Sequence, residues 1–363
     1  MDQSQELRVT QPHLVWAPYV WKRDGAGGSL EAAMPGAYLK CAVSGTANLG
    51  IVIDATANAG CAPESMPVVD YAIDDGPFQA VQLSITGKRY VLPLAAGLNP
   101  AASHRLEFYF RAGDMTQARW TSPIARLRVG GLAVDAGGTL IARERRARTA
   151  IGFGDSITEG VGAESLFTSW QKMDASNARV TWFPIVCAAL NCEYGQLGSG
   201  GQGMSQPVPG GLPPLPQTWD RFDAQESRLV EGRLAPEPDY VFCCMGTNDF
   251  DRSRGPDCRM NLTPIAADYE RWLSDVRRAC SSTRIFCVTP PFLVHADEIR
   301  AAVSARQMSG DARVHLIDLA PLQMDFRPEA RKFAYDGCHP TLLGHAILGA
   351  FIAAETQTIR DDR

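Results

Sequence analysis

At 363 residues the chain is longer than one hydrophobic core ordinarily serves, so two domains are expected. Its 45% apolar and 21% charged content is that of a globular protein, and a formal net charge of −5 offers no basic face for nucleic acid. No apolar run approaches the roughly 20 residues of a bilayer span, and "MDQSQELRVT" lacks the basic-then-apolar order of a secretory leader, so neither membrane nor nucleic acid is expected as a partner and the expected compartment is cytoplasmic unless a leader was trimmed.

Up to about residue 140 the chain reads as short alternating strands. "RLEFYFR" sets Leu106, Phe108 and Phe110 on one face against Glu107, Tyr109 and Arg111 on the other. "IARLRVG" sets Leu127 and Val129 against Arg126 and Arg128, and Asp75-Gly76 after "VVDYAID" reads as a hairpin turn. Gly and Pro punctuate every few residues, and no long helical period occurs. The pattern predicts an all-β sandwich or jelly roll over residues 1–140. A glycine-rich, then basic, segment follows. Its Arg143, Arg145, Arg146 and Arg148 read as a solvated linker face.

From about residue 141 to 363 the period changes. "TAIGFGD", "DYVFCCMG", "RIFCVTP" and "RVHLIDL" read as strands. Between and after them lie the helical stretches "TWFPIVCAALN", "IAADYERWLSDVRRAC", "DEIRAAVSARQM" and "LLGHAILGAFIAAETQTI". Strands apolar on both faces, alternating with helices, predict an α/β domain: a parallel sheet covered on both sides, with ligands beyond the carboxyl ends of its strands. Of the ten cysteines, Cys243, Cys244 and Cys287 fall inside these apolar runs. With no CxxC pair and no zinc-like spacing, the expectation is reduced, buried thiols.

The strand "IGFG" runs into Asp155-Ser156, which places the Ser156 hydroxyl at the rim of the sheet. A serine needs a base to become a nucleophile. Among six histidines, His339 in "YDGCHPT" has Asp336 three residues before it, a spacing that lets the carboxylate fix the imidazole tautomer. "GTND" ends another strand and brings the Asn248 amide to the same edge, as a donor toward the oxyanion formed when a carbonyl is attacked. In "YGQLGSGGQGM" the glycines let a backbone N–H approach closely, and Gly201 is assigned as that donor, with the Ser156 N–H as the third. "GSGGQG" formally matches the dinucleotide fingerprint, but the proline-rich "MSQPVPGGLPPLPQ" that follows opens no helix, so that reading is rejected. GxSxG, P-loop and HExxH motifs are absent from the sequence.

In order, "GDSITEG", "GSGGQG", "GTND" and "DGCHP" resemble the four blocks of the SGNH, or GDSL, hydrolase superfamily, over about residues 148–355. The resemblance implies a flavodoxin-like three-layer α/β/α domain that hydrolyses carboxylic esters. It implies Ser156 as nucleophile, Asp336 and His339 as acid and base, and Ser156, Gly201 and Asn248 as oxyanion residues, with no metal or organic cofactor. The second block lacks the usual Asn-x-Gly lead, which leaves Gly200 and Gly203 as alternative donors. With its β-rich half in front, the chain is also similar to family 2 carbohydrate esterases and to SGNH acyl-modifying enzymes with an N-terminal β-sandwich. Those relatives imply a small-molecule or carbohydrate ester as substrate, with a short acyl group such as acetyl. Two other functions fit the same residues: an acyltransferase using this site, and a carbohydrate-binding protein with an inactive hydrolase domain. Phe250, Trp170 and the five-proline segment from Met204 to Trp219 are candidates for the pocket wall.

Overall fold

The computed structural model describes residues 4–23, 28–165, 173–208, 211–250, 261–327, 330 and 332–361. By its contacts the chain divides into two compact units, Met1–Arg145 and Arg146–Arg363.

The first unit is a β-sandwich of two antiparallel sheets. One carries, in spatial order, Lys22–Arg23, Leu30–Ala32, Leu127–Asp135, Leu49–Asp54 and Arg89–Ala95, with Ser4–Arg8 also pairing onto Leu127–Asp135. The other carries Thr139–Ile141, Tyr38–Ser44, His104–Ala112, Val68–Ile73 and Gln79–Gln82, with Val15–Trp16 on Tyr38–Ser44. The expected alternation places Leu106, Phe108 and Phe110 in the core, and Phe108 sits in register between Leu39 and Tyr71. Tyr109, on the opposite face, is buried as well, its ring against Phe78 and Tyr38. The hairpin turn lies one residue earlier than expected. Asp74 and Asp75 take the two left-handed positions (φ 52° and 63°), and the Gly76 N–H closes the turn on Ile73.

Of the arginines around residue 145, Arg145 is exposed, and Arg143, Arg146 and Arg148 are partly buried. Arg143 pairs with Glu107 at 2.8 Å, and Arg145 donates to the Leu14 carbonyl at 3.0 Å. Within the second unit Arg146 and Arg148 donate to the carbonyls of Cys192 and Leu190. A guanidinium reaches several acceptors at once, so these side chains tie strand ends together.

The second unit is a three-layer α/β/α domain around five parallel strands. Their spatial order is Cys192–Gly198, Arg148–Gly154, Tyr240–Cys244, Arg284–Val288, Val314–Ile317, which in chain order is 2-1-3-4-5, the flavodoxin-like arrangement. Helices Trp182–Ala189 and Leu342–Asp361 pack on each other, as do Ala266–Ala279 and Ala296–Met308. Both faces of the central strands are covered, so Ile151, Phe153, Val241, Phe242, Ile285 and Phe286 are all buried. Phe242 and Phe286 are register partners and stack at 5.0 Å. The cysteines described are buried thiols, and burial pushes Cys41, Cys192, Cys280 and Cys287 up to about 12.

Two features differ from expectation. Cys192–Gly198 is an edge strand that the sequence reading did not mark. Gly198 is required there, because a Cβ would lie 2.3 Å from the Glu159 nitrogen. The closing helix, over Leu342–Arg360, is long and apolar enough to pass as a bilayer span, contrary to the sequence expectation. In the structure it is a packed helix: Leu348, Ile352, Ala353 and Thr356 are buried, and Gly349 lies against Ile185.

Candidate active site

Strand Arg148–Gly154 delivers Ser156 to the carboxyl edge of the sheet. Phe153 anchors the strand end, edge-on to Trp219 and Trp272 at 6.5 and 6.0 Å. Asp155 then caps a four-residue helix, Ser156–Glu159, by accepting the Ile157 N–H at 2.9 Å, and Gly160 ends it at φ 83°. Gly154 allows this sharp turn, since a Cβ there would meet Thr158 Oγ1 at 1.9 Å. Asp155 is 1% exposed, and burial raises its carboxyl to about 6 against the opposing pull of the Ile157 N–H, Thr247 and His339.

From the far end of the chain, the segment before the last helix brings in His339. It is pinned by the Thr341 N–H on the Phe333 carbonyl (2.8 Å), the Thr341 hydroxyl on Lys332 and the bridge Ala334–Pro340. His339 Nε2 lies 2.9 Å from Ser156 Oγ, and Nδ1 lies 2.6 Å from Asp336 Oδ2. Asp336 Oδ1 accepts the N–H groups of Cys338 (2.8 Å) and His339 (2.7 Å), a turn rather than a helix. Burial works to raise the Asp336 carboxyl. The His339 hydrogen bond and charge, with those two N–H groups, outweigh it and hold the group at about 2. An ionised Asp336 accepts a hydrogen bond from His339 Nδ1–H, which leaves Nε2 with a lone pair toward the serine hydroxyl.

Asn248 follows strand Tyr240–Cys244, half-buried, with Nδ2 donating to the Gln202 carbonyl at 3.1 Å. Of the three candidate glycines, Gly200 donates its N–H to Glu159 Oε2 at 2.7 Å and Gly203 donates to the Gln206 carbonyl at 2.9 Å. Gly201 sits at the apex in the left-handed region, φ 78°. Asp249, fully buried, accepts the N–H groups of Met204 (2.8 Å), Ser205 (2.7 Å) and Gln206 (2.9 Å), and so clamps the continuation of this loop. Sequence reasoning missed Glu159 and Asp249. The available signal was two acids inside the quoted motifs, one helical turn after Ser156 and directly after Asn248. Phe250 bridges to Leu262, and Met204, Leu212, Leu215 and Trp219 of the proline-rich segment are buried. Trp170 lies outside the described residues.

Beside Gly337 a cavity of about 520 Å³ opens, lined among others by Phe292, Leu319, Met324, Phe326 and Arg327; Ser156, Asp336 and His339 do not line it. Its two phenyl rings meet at 4.6 Å and 52°. Among the described residues no group of three or more His, Cys, Asp or Glu side chains could hold a metal ion.

The family model for GDSL-like Lipase/Acylhydrolase matches residues 153–347, more than half of the chain and every block of the site. The chain belongs to this family. Membership places it among the SGNH hydrolases. It is similar to the cellulase/esterase CelE of Acetivibrio thermocellus, at 25% identity over 231 residues, 60% of this chain and 26% of that protein. The chain thus spans about a quarter of the length of that curated relative. Among solved structures it resembles a family two carbohydrate esterase from Clostridium thermocellum in complex with cellohexaose. The TM-score is 0.75 at 19% identity, covering 95% of this chain and 98% of that one. It also resembles the salicylyl-acyltransferase SsfX3 from a tetracycline biosynthetic pathway, with a TM-score of 0.63 at 16% identity and 98% of both chains covered. At these identities the likeness is one of fold, a β-sandwich followed by an SGNH domain.

Proposed function

We propose that this chain is a serine esterase that removes a short acyl group, such as acetyl, from a sugar or a glycosylated small molecule through an acyl-enzyme. The observation that carries the reading is the continuous relay Ser156 Oγ–His339–Asp336, at 2.9 and 2.6 Å. His339 takes the Ser156 proton as the oxygen attacks the ester carbonyl, while Asp336 stabilises the imidazolium. The Ser156 and Gly201 N–H groups and the Asn248 amide receive the oxyanion, each donor of this kind being worth about 2.7–4 kcal/mol. His339 then protonates the departing alcohol, and water repeats the sequence on the acyl-enzyme. The alcohol leaves on the histidine side, where the cavity beside Gly337 offers aromatic surface from Phe292 and Phe326 with the polar rim of Gln323 and Arg327. Such a surface suits a sugar ring. The family two esterase relative, solved with cellohexaose, supports that class of alcohol.

An acyltransferase would use the same relay, with an acceptor alcohol in place of water, and the likeness to a salicylyl-acyltransferase favours keeping it as the second reading. Product analysis with added acceptor sugars separates the two. For the main reading, Ser156→Ala is assayed on an aryl acetate and on acetylated oligosaccharides. Turnover near the parent rate, or failure of a fluorophosphonate to label Ser156 in the parent, would overturn it. A carbohydrate-binding protein without catalysis would give no labelling.

A further inference from the structure

Behind the Asn248 amide stands a chain of polar groups that the reaction does not consume. His295 opens helix Ala296–Met308 in the left-handed region (φ 58°), its side chain 1% exposed. Both ring nitrogens face groups that can only accept: Nδ1 lies 2.7 Å from Glu298 Oε1, and Nε2 lies 3.0 Å from the Asp249 carbonyl. The ring is thus held at both nitrogens, between a carboxylate and a backbone carbonyl. Glu298 is committed on its other oxygen, which accepts the Ile265 and Ala266 N–H groups at the start of helix Ala266–Ala279 (2.8 and 3.0 Å). Although burial raises it, the Glu298 carboxyl is held below its usual range by His295 and those N–H groups.

The recipient of this clamp is Asp249, the residue after Asn248. Its carbonyl accepts from His295 and from the Thr263 N–H (2.9 Å), its N–H donates to Gly246 (3.3 Å), and its carboxylate holds residues 204–206. Every polar atom of Asp249 is therefore tied, which fixes the backbone from which the Asn248 side chain springs. A Cβ on Gly203 would lie 2.5 Å from Asp249 Oδ1, so the glycine loop and this residue also interlock sterically.

Resting on the esterase reading above, we infer that His295, held between Glu298 and the Asp249 carbonyl, is a positioning residue for the oxyanion amide of Asn248. Its Nε2 holds the Asp249 carbonyl at 3.0 Å. Through Asp249 it sets the distance between the Asn248 amide, the glycine loop and the reacting carbonyl.

The test is a double-mutant cycle of wild type, His295→Gln, Asn248→Ala and the double variant, reading kcat and KM on an aryl acetate together with thermal melting. His295→Gln is expected to lower kcat about 10–100-fold with KM within about threefold. Asn248→Ala is expected to lower kcat about 10²–10³-fold. The double variant should fall within about threefold of Asn248→Ala alone, because the group that His295 positions is then gone. Losses that multiply in the double variant, or a His295→Gln kcat within twofold of wild type, overturn the inference. Should His295→Gln not fold, Glu298→Gln replaces it in the same cycle, with the same non-additivity expected and full multiplication again overturning it. Wild-type turnover and the Asn248→Ala loss test the esterase reading separately, so each can fail alone.

Discussion

Replacing Asp336 by Asn exchanges one oxygen for an NH₂ and keeps the outline of the side chain, so it separates electrostatics from shape. The carboxyl stands at about 2 against an ordinary 3.8, lowered against burial by the His339 hydrogen bond and charge and by the N–H groups of His339 and Cys338. That difference corresponds to about 2 kcal/mol of preference for the ionised form. The amide oxygen can keep the two backbone N–H bonds, so what is lost is the charge facing the imidazolium. A second loss adds to it. An NH₂ facing Nδ1 favours the imidazole protonated at Nε2, the atom 2.9 Å from Ser156 Oγ, which then cannot take the serine proton. Together these put kcat down by about 10³–10⁴-fold, with KM within about threefold because the substituted group lies behind the ring. Initial rates on an aryl acetate near neutral pH, with melting curves for both proteins, make the measurement. A kcat loss below tenfold in a variant that melts like the parent would refute the assignment of Asp336 as the orienting acid.

The same carboxylate has a stability signature. Its folded-state value is depressed, so its contribution of about 2 kcal/mol is present above pH ~4 and lost as pH falls toward 2. Urea unfolding of parent and Asp336→Asn should therefore differ most above pH 4 and converge toward pH 2. Gly198→Ala drives a methyl to 2.3 Å from the Glu159 nitrogen, with an expected loss of about 1–3 kcal/mol and a weakened Glu159–Gly200 bond; a melting temperature unchanged from the parent would contradict the close approach. Phe153→Ala empties the space between Trp219 and Trp272 and should cost about 3–5 kcal/mol by chemical denaturation. If the cavity beside Gly337 receives the sugar, as proposed, Phe292→Ala should lower kcat/KM on acetylated sugars about tenfold while leaving aryl acetate turnover within twofold.

The doubly apolar strands around Phe153, Phe242 and Phe286, the helical period of Ala266–Ala279 and the turn chemistry of "GDS" and "DGCH" are short-range properties. Each is written within a few residues, so fold class and family were legible from the chain alone. The edge strand Cys192–Gly198 was not, because Gly198 answers to the close approach of the Ser156–Glu159 helix rather than to local propensity. The hairpin shifted by one residue for a similar reason: Asp74 also accepts the Arg105 N–H from the adjoining strand. The arginines near residue 145 stay at least partly exposed, yet their acceptors, carbonyls and one carboxylate distant in sequence, could not be read from the local pattern.

Within the site, local pattern supplied candidates and tertiary structure supplied their partners. Ser156 and His339 lie 183 residues apart, yet the sheet edge and the segment before the last helix set their side chains at 2.9 Å. On paper Gly201 is the assigned donor, with Gly200 and Gly203 as alternatives. In space Glu159 takes the Gly200 N–H and Gln206 takes that of Gly203. Asp249 and His295 acquired roles only through groups that approach them from other elements. A side chain's chemistry travels with its residue type, whereas the choice of which hydrogen bond each group makes belongs to the packed fold, where most buried donors find an acceptor.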